Sequence, residues 1–550
     1  MDVSATARDI VRVPAGHLTS VAFDLRVLHE AGMLEPAGPR KLFGVLGALA
    51  RLGTSPAGIT KMAAIREPEG VAVRDELGEL TFEQVHRRAN AVAHALADLG
   101  VDSADGVGIM CRNHRGFVDA TMGAAKVGAS LLFLNTAFAG RQLVEVMERE
   151  GPRVLIYDQE FEGLLEGLPE EITRIVAWQE DGDDQAAHVL EQLIEGGDTS
   201  DLPRPKDDPR FVILTSGTTG TPKGAQRTSP SGVGGITILF DRIPYHRGDT
   251  VVIAAPMFHS WGFMHFLVGL GINCTLVLRR RFDPEETLRE VEQNRAQTLA
   301  VVPVMMQRIL ELPEDTLRSY DLTGLRVTAV SGSALPGEMA IRWMDLFGDN
   351  VYNLYGSTEV AYATVATPGD LRAAPGTAGR PLRKTEVKIL DQDGRELPQG
   401  ETGRIFVGSD TAFEGYTGGG GKEEIGGLLS SGDVGYFDDA GRLHVSGRDD
   451  DMIVSGGENV FPREVEDLLA EHGEIAEAAV IGVDDEEFGQ RLKAFVVLKD
   501  GRGGPSEDDL KGYVKENLAR YKVPREVVFL AELPRNATGK VLKRELRERS

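Results

Sequence analysis

Nine short aliphatic runs separated by amphipathic stretches constrain this chain more than any other feature. VGIMC, SLLFLN, PRVLIYD, TRIVAW, FVILTSG, TVVIAAP, TLVL, TLAVV and LRVTAVSG are near-continuously apolar rather than alternating. A strand buried on both faces reads this way, and it needs helices packed above and below it. The chain from about residue 70 to 380 is therefore predicted to be α/β, with parallel strands in helix-covered layers. VAVRDELGELT reads as a hairpin, and the segment after it carries apolar residues at i, i+3 and i+4, the spacing of one helix face.

The pattern changes after about 380. Residues 401–460 hold 15 glycines, with TGRIFV, GRLHV and DDMIV as short strand-like runs. Frequent turns between short strands predict a small antiparallel or barrel-like β region. EVEDLLAEHGEIAEAAVIGV, LKAFVVL and DDLKGYVKENLARY then describe a compact α+β unit. The expected division is a leader over 1–60, a large N-terminal domain over 61–448 and a small, mobile C-terminal domain over 449–550. In the leader, Leu42, Val45, Leu46 and Leu49 recur at helical spacing. This stripe is expected to dock on the protein's own surface, with weak peripheral membrane contact as the other reading.

Charge and cysteine usage exclude several classes. Lys and Arg number 60 against 85 Asp and Glu, a formal net charge of −25, which argues against a nucleic-acid partner. The tail departs from this balance, since 519–550 holds nine Lys/Arg and four Glu. Two cysteines, Cys111 and Cys274, build neither a disulfide framework nor a cysteine metal cage and read as buried thiols. Asp2, Arg8 and Asp9 stand where a signal peptide would place an apolar core. Thr250 to Leu278 carries no formal charge, but Pro256, His259, Ser260, His265 and Asn273 interrupt it. Strand, turn, buried helix and strand fit it better than a membrane span. The expected location is cytoplasmic.

The densest motif is Thr215-Ser216-Gly217-Thr218-Thr219-Gly220-Thr221-Pro222-Lys223-Gly224, directly after the strand FVIL. Glycines let backbone N–H groups turn inward toward phosphate oxygens, hydroxyls add neutral donors, and Lys223 adds positive charge. Its spacing is GxxGxxKG, not the GxxxxGK[ST] of a Walker A loop.

With six further motifs this loop resembles the adenylate-forming superfamily of acyl-CoA synthetases, luciferases and peptide-synthetase adenylation domains, most closely the bacterial fatty-acyl-CoA ligases. The six are Pro256-Met-Phe-His259, Tyr355-Gly-Ser-Thr-Glu359, Ser431-Gly-Asp433, Gly447-Arg448-Asp-Asp450, Ser455-Gly-Gly-Glu-Asn-Val-Phe-Pro462 and Pro534-Arg-Asn-Ala-Thr-Gly-Lys540. The resemblance runs from about residue 60 to the end and says little about the leader.

The resemblance implies that a carboxylate attacks the α-phosphorus of ATP, pyrophosphate leaves, and a CoA thiol attacks the acyl-adenylate. Two anions must meet, so positive charge and Mg²⁺ offset their repulsion. Glu359 would hold Mg²⁺, with Thr215 as accessory ligand. The ATP site would comprise Thr215, Ser216, Gly217, Thr218, Thr219, Gly220, Lys223, Ser333, Ala334, Tyr355, Gly356, Ser357, Thr358, Asp433 and Arg448, with Asp433 accepting from the ribose hydroxyls. Lys540 would reach the transferring phosphate and carboxylate oxygens, and His259 would lie near the acyl carboxylate. Asp450 matches the hinge, and Gly456 and Gly457 the passage for the CoA arm. Phe258, Trp261, Phe263 and Val304 are candidates for the acyl pocket; the aromatics read equally as core, whereas His259 reads first as functional, with a satisfied core histidine as the other reading.

The expected reaction is therefore ATP-dependent conversion of a medium- or long-chain fatty acid to its acyl-CoA, with ATP, Mg²⁺ and CoA required. An enzyme passing the acid to a carrier protein or another nucleophile, or activating another oxyanion, is the alternative. A non-catalytic nucleotide-binding scaffold is the remote one, opposed by intact Glu359, Asp433 and Lys540. Oligomeric state is not readable.

Overall fold

The computed structural model describes residues 15–34, 38–179, 188–215, 223–228, 234–409, 413, 415–417, 419–449, 451–455, 458–485, 489–499, 504–536 and 539–548. All nine aliphatic runs form parallel strands, divided between two sheets. One sheet has seven strands in the order Gly415–Tyr416, Lys223–Thr228, Arg210–Thr215, Ser130–Phe133, Gly106–Met110, Val154–Asp158 and Thr173–Trp178. The last five run parallel, and an antiparallel hairpin closes the first edge.

The second sheet has nine strands: Arg380–Pro381, Ala361–Ala366, Val351–Ser357, Val327–Val330, Thr298–Val301, Thr250–Ile253, Thr275–Leu278, Val71–Asp75 and Gly78–Thr81. Its six central strands, Val351–Ser357 through Val71–Asp75, are parallel. The predicted early hairpin is its far edge. Helices Phe82–Asp98, Arg115–Val127 and Ser260–Gly271 lie between the sheets. Their Val92, Leu96, Phe117, Met122, Phe263 and Phe266 share one core with Ile109 and Phe133 of one sheet and Val251 and Leu299 of the other. Thr81 starts the first of these helices with a reciprocal cap, Thr81 Oγ1 accepting from the Gln84 N–H and Gln84 Oε1 from the Thr81 N–H.

The glycine-rich region forms an antiparallel sheet of Glu386–Leu390, Gly403–Gly408, Leu428–Phe437, Glu424–Ile425 and Leu443–Arg448. Ile453–Ser455, from the DDMIV run, instead joins the C-terminal sheet with Glu458–Val460, Ile475–Asp485, Gly489–Leu498 and Glu526–Phe529. Helices Pro462–Ala470 and Glu507–Asn517 cover that sheet through Val465, Leu469, Leu510 and Val514. The molecule is a large α/β N-terminal domain followed by a small α+β one. Both cysteines are buried thiols, and no described helix is long and apolar enough to cross a membrane.

The leader corrects one expectation. Its first helix, Ala15–Glu30, about which the sequence carried no expectation, packs Phe23 and Val27 into the main core, followed by Ala31 just beyond its end. The helix carrying the apolar stripe, Pro39–Leu52, buries only Ala48, and Leu42, Leu46 and Leu49 face outward. Close approach decides the orientation. A Cβ at Gly44 would stand 3.1 Å from Ile65 Cγ2, so the helix sits on Helix Pro56–Arg66 by its smallest residues.

Candidate active site

Four adjacent parallel strands end side by side in the nine-stranded sheet, and each leads into a predicted motif. Thr250–Ile253 leads to Phe258 and His259, Thr298–Val301 to Val304, Val327–Val330 to Ser333 and Ala334, and Val351–Ser357 to Thr358 and Glu359. The carboxyl ends of parallel strands are where α/β sheets bind ligands, because helix N-termini and loops converge there. The sheet order thus gathers residues more than a hundred positions apart.

Asp433 sits at the centre of a polar cluster. It is the register partner of Arg448 across the strands Leu428–Phe437 and Leu443–Arg448. Arg448 Nη1 donates to Asp433 Oδ1 at 3.3 Å, and the Tyr355 hydroxyl donates to Oδ2 at 2.6 Å. Burial raises the Asp433 pKa, while Arg448, Tyr355 and Lys540 pull against the rise. Burial, with Asp433 beside it, holds the Tyr355 phenol well above its ordinary range, so it remains a donor. Lys540, about a hundred residues on and in the other domain, is therefore within electrostatic reach of this carboxylate.

Glu359 lies in the turn after Val351–Ser357 and is 9% exposed. Ser357 Oγ accepts from the N–H groups of Glu359 and Val360 and shapes the turn. Gly356 is required by close approach, since a Cβ there would stand 2.0 Å from the Ala361 carbonyl oxygen. Glu359 Oε1 accepts from the Tyr416 hydroxyl at 3.0 Å. Its second oxygen has no partner among the described residues, and a partly shielded carboxylate oxygen of this kind suits Mg²⁺, a hard cation that prefers oxygen ligands.

Tyr416 was not predicted, and it joins two motifs. Its strand, Gly415–Tyr416, pairs with Lys223–Thr228, matching Tyr416 to Ala225. Thr215 and Lys223 are register partners that close the hairpin of the Ser/Thr/Gly motif. One tyrosine thus ties the carboxylate of one sheet to the hairpin of the Ser/Thr/Gly motif in the other. Ser216, Gly217, Thr218, Thr219 and Gly220 lie outside the described residues, as do Asp450, Gly456, Gly457 and the side chains of Thr215 and Lys223.

The Lys540 turn rests on the large domain. Asn536 Oδ1 accepts from the Lys540 N–H at 2.9 Å, and the Asn536 N–H donates to the Lys540 carbonyl at 2.9 Å. Gly539, at φ +77°, lies so close to Val304 that a Cβ would come within 2.0 Å of its Cγ1. Nearby, Gln307 Nε2 donates to Glu477 Oε1 at 3.3 Å. Exposed Lys540 is thereby held over the strand ends.

His259 precedes the helix Ser260–Gly271. Burial lowers its pKa to about 4, so its ring is neutral near pH 7, and its buried Nε2 has no partner among the described residues. Phe258 packs 4.4 Å from its ring. Trp261 Nε1 donates to the Val301 carbonyl at 3.0 Å. Phe263 points between the sheets, 4.7 Å from Phe133 and 5.1 Å from Phe211, where it packs as a core residue.

The profile of AMP-binding enzymes matches residues 61–417, and that of the AMP-binding enzyme C-terminal domain matches 464–540. The chain belongs to the AMP-binding enzyme family. This AMP-binding enzyme is 31% identical over 503 residues to the fatty acid–[acyl-carrier-protein] ligase ScoC of Streptomyces coeruleorubidus, covering 89% of this chain and 95% of ScoC. It is 33% identical over 500 residues to the 2-succinylbenzoate–CoA ligase of Geobacillus kaustophilus, covering 88% and 96%. The anthranilate CoA ligase AuaEII, solved with anthranoyl-AMP, superimposes with a TM-score of 0.79 at 26% identity over 90% of this chain and 97% of that one. The protein is an AMP-forming acid–thiol ligase.

Proposed function

We propose that this AMP-binding enzyme activates a medium- to long-chain fatty acid and transfers it to coenzyme A. The observation that carries the acid class is the composition of the strand ends. Residues 254–260 and 301–306, which follow or end two of these strands, contain no Asp, Glu, Lys or Arg, so nothing in these segments would hold the ammonium of an amino acid. Apolar walls stabilise each buried CH₂ by about 0.8 kcal/mol.

In this reading Asp433 accepts from the ribose hydroxyls, and Arg448 flanks ribose and phosphate. Neutral His259 offers Nε2 to the acid's carboxylate. Lys540 offsets negative charge as carboxylate and α-phosphate approach. Glu359, with Thr215, would hold Mg²⁺, which when bound neutralises phosphate charge. The lysine turn on Val304 supports an adenylating arrangement. Thioester formation then requires the C-terminal domain to turn about Asp450 and bring Gly456 and Gly457 to the adenylate.

Transfer to a carrier protein is the second reading, favoured by the likeness to ScoC. The test is thioester formation and pyrophosphate release over acids from acetate to palmitate, with CoA or a phosphopantetheinylated carrier protein as acceptor. We expect kcat/KM to climb with chain length to at least octanoate, and CoA to be the better acceptor. A flat profile, or preference for an aromatic acid, overturns the acid assignment. Preference for the carrier protein overturns the acceptor.

A further inference from the structure

We infer that the outer face of the helix Pro39–Leu52 is a docking site for an anionic lipid bilayer. The helix lies with Gly44 and Ala48 against the protein and its large apolar side chains in solvent. Leu42 is 48% exposed, Phe43 73%, Leu46 50% and Leu49 41%. Positions 42, 43, 46 and 49 fall on one side of an α-helix, so the four form a continuous stripe. Soluble surfaces seldom expose such a stripe without a partner for it.

Charge identifies the partner. Residues 36–66 contain Arg40, Lys41, Arg51, Lys61 and Arg66 and no Asp or Glu, in a chain whose net charge is −25; Lys61 pairs with Asp201 at 2.7 Å, which leaves Arg40, Lys41 and Arg51 as the cations of the helix itself. Arg40 and Arg51 fall on the flank between the stripe and the buried face. Arg51 Nη2 donates to the Leu202 carbonyl at 3.4 Å, so exposed Arg40 is the cation best placed to reach lipid phosphates while the stripe enters the acyl region, and Arg51 adds positive charge behind it. The buried side is fastened: Lys41 Nζ donates to the Arg66 carbonyl at 2.6 Å, and Arg66 Nη1 to the Gly271 carbonyl at 2.9 Å. The helix is thus a fixed part of the protein surface. A second copy of the chain fits this face poorly, because a twofold interface would set these cations against their own counterparts. An anionic bilayer satisfies the stripe and the cations together, and the local positive charge lets a strongly acidic protein approach it.

The test is sedimentation of the full chain with vesicles of phosphatidylcholine alone and of phosphatidylcholine with phosphatidylglycerol. We expect binding to the anionic vesicles that weakens with salt. Phe43→Ser with Leu46→Ser should lower the partition coefficient at least about tenfold, leaving pyrophosphate release in free solution unchanged. Arg40→Gln with Arg51→Gln should lower it about tenfold on anionic vesicles alone. In a Phe43→Trp variant, indole emission should shift to the blue on adding anionic vesicles. Equal sedimentation of the wild type and the serine variant overturns the proposal. So does a wild-type dimer, seen by analytical ultracentrifugation, that the serine variant converts to monomer, since a second copy then covers the face.

Discussion

Tyr416 shows what one hydroxyl can do when it spans two sheets. It donates to Glu359, whose other oxygen is open among the described residues, and its backbone is paired to the hairpin of the Ser/Thr/Gly motif. A hydrogen bond to a carboxylate is worth about 1.5 kcal/mol, roughly tenfold in an equilibrium constant. Tyr416→Phe should therefore raise the Mg²⁺ concentration for half-maximal pyrophosphate release about tenfold while leaving the saturated rate nearly intact. Glu359→Ala should abolish release at every Mg²⁺ concentration. A uniform fall across all Mg²⁺ concentrations in Tyr416→Phe would show that the tyrosine acts elsewhere. Glu359 was named as a candidate from the sequence because it ends the motif Tyr355-Gly-Ser-Thr-Glu359. Tyr416 was not, because its strand has two residues and its partner lies 57 positions away. Only the fold reports that contact.

At the scale of elements, Gly539 offers a sharp test of docking. Alanine there would place a methyl group on Val304 and force a positive φ on a residue with a side chain. Gly539→Ala should lower adenylation at least about tenfold, with thioester formation from supplied acyl-adenylate retained. Adding Val304→Ala should recover part of the loss, and no recovery would leave backbone strain alone as the cause. A second test concerns the network joining the helices Pro56–Arg66, Phe82–Asp98 and Arg115–Val127. Lys126, 5% exposed, donates to Asn90 Oδ1 and His86 Nδ1, while Lys61 and His86 share Asp201. Burial lowers the Lys126 pKa to about 7 and the His86 pKa to about 4. Folding therefore favours both neutral forms. Stability is lost as pH falls from 10.5 toward 7 through Lys126, and again from 6.5 toward 4 through His86. Lys126→Met should raise Tm more at pH 7 than at pH 10, and equal gains would show that Lys126 keeps one charge state. Nine of the eleven parallel strands of the two large sheets were legible because burial on both faces leaves continuous apolar runs. Their order was not: Val71–Asp75, early in the chain, pairs with Thr275–Leu278, and periodicity carries no long-range register. The leader helix was misread because an apolar stripe was assumed to face inward, whereas Gly44 and Ala48 set the side of closest approach.

At the scale of the whole molecule, ion pairs change allegiance across three residues. Asp449 pairs with Arg404 of the large domain at 3.1 Å, whereas Asp451 pairs with Arg547 of the small one at 3.0 Å. This supports Asp450, between them, as the proposed pivot. Proline fixes φ near −65°, so Asp450→Pro should keep acyl-adenylate formation and lose most thioester formation from supplied adenylate. Lys540→Ala should show the opposite, and equal damage to both half-reactions in folded protein would remove the case for rotation. The seat of the lysine turn has an evolutionary consequence. Val304 receives Gly539 and is also proposed for the acyl wall, so a change there alters the fit of the acid and the docking of Lys540, the proposed catalytic lysine, at once. Substrate range and catalytic timing are then inherited as one trait, and a lineage that widens its pocket at this position must retune its clock.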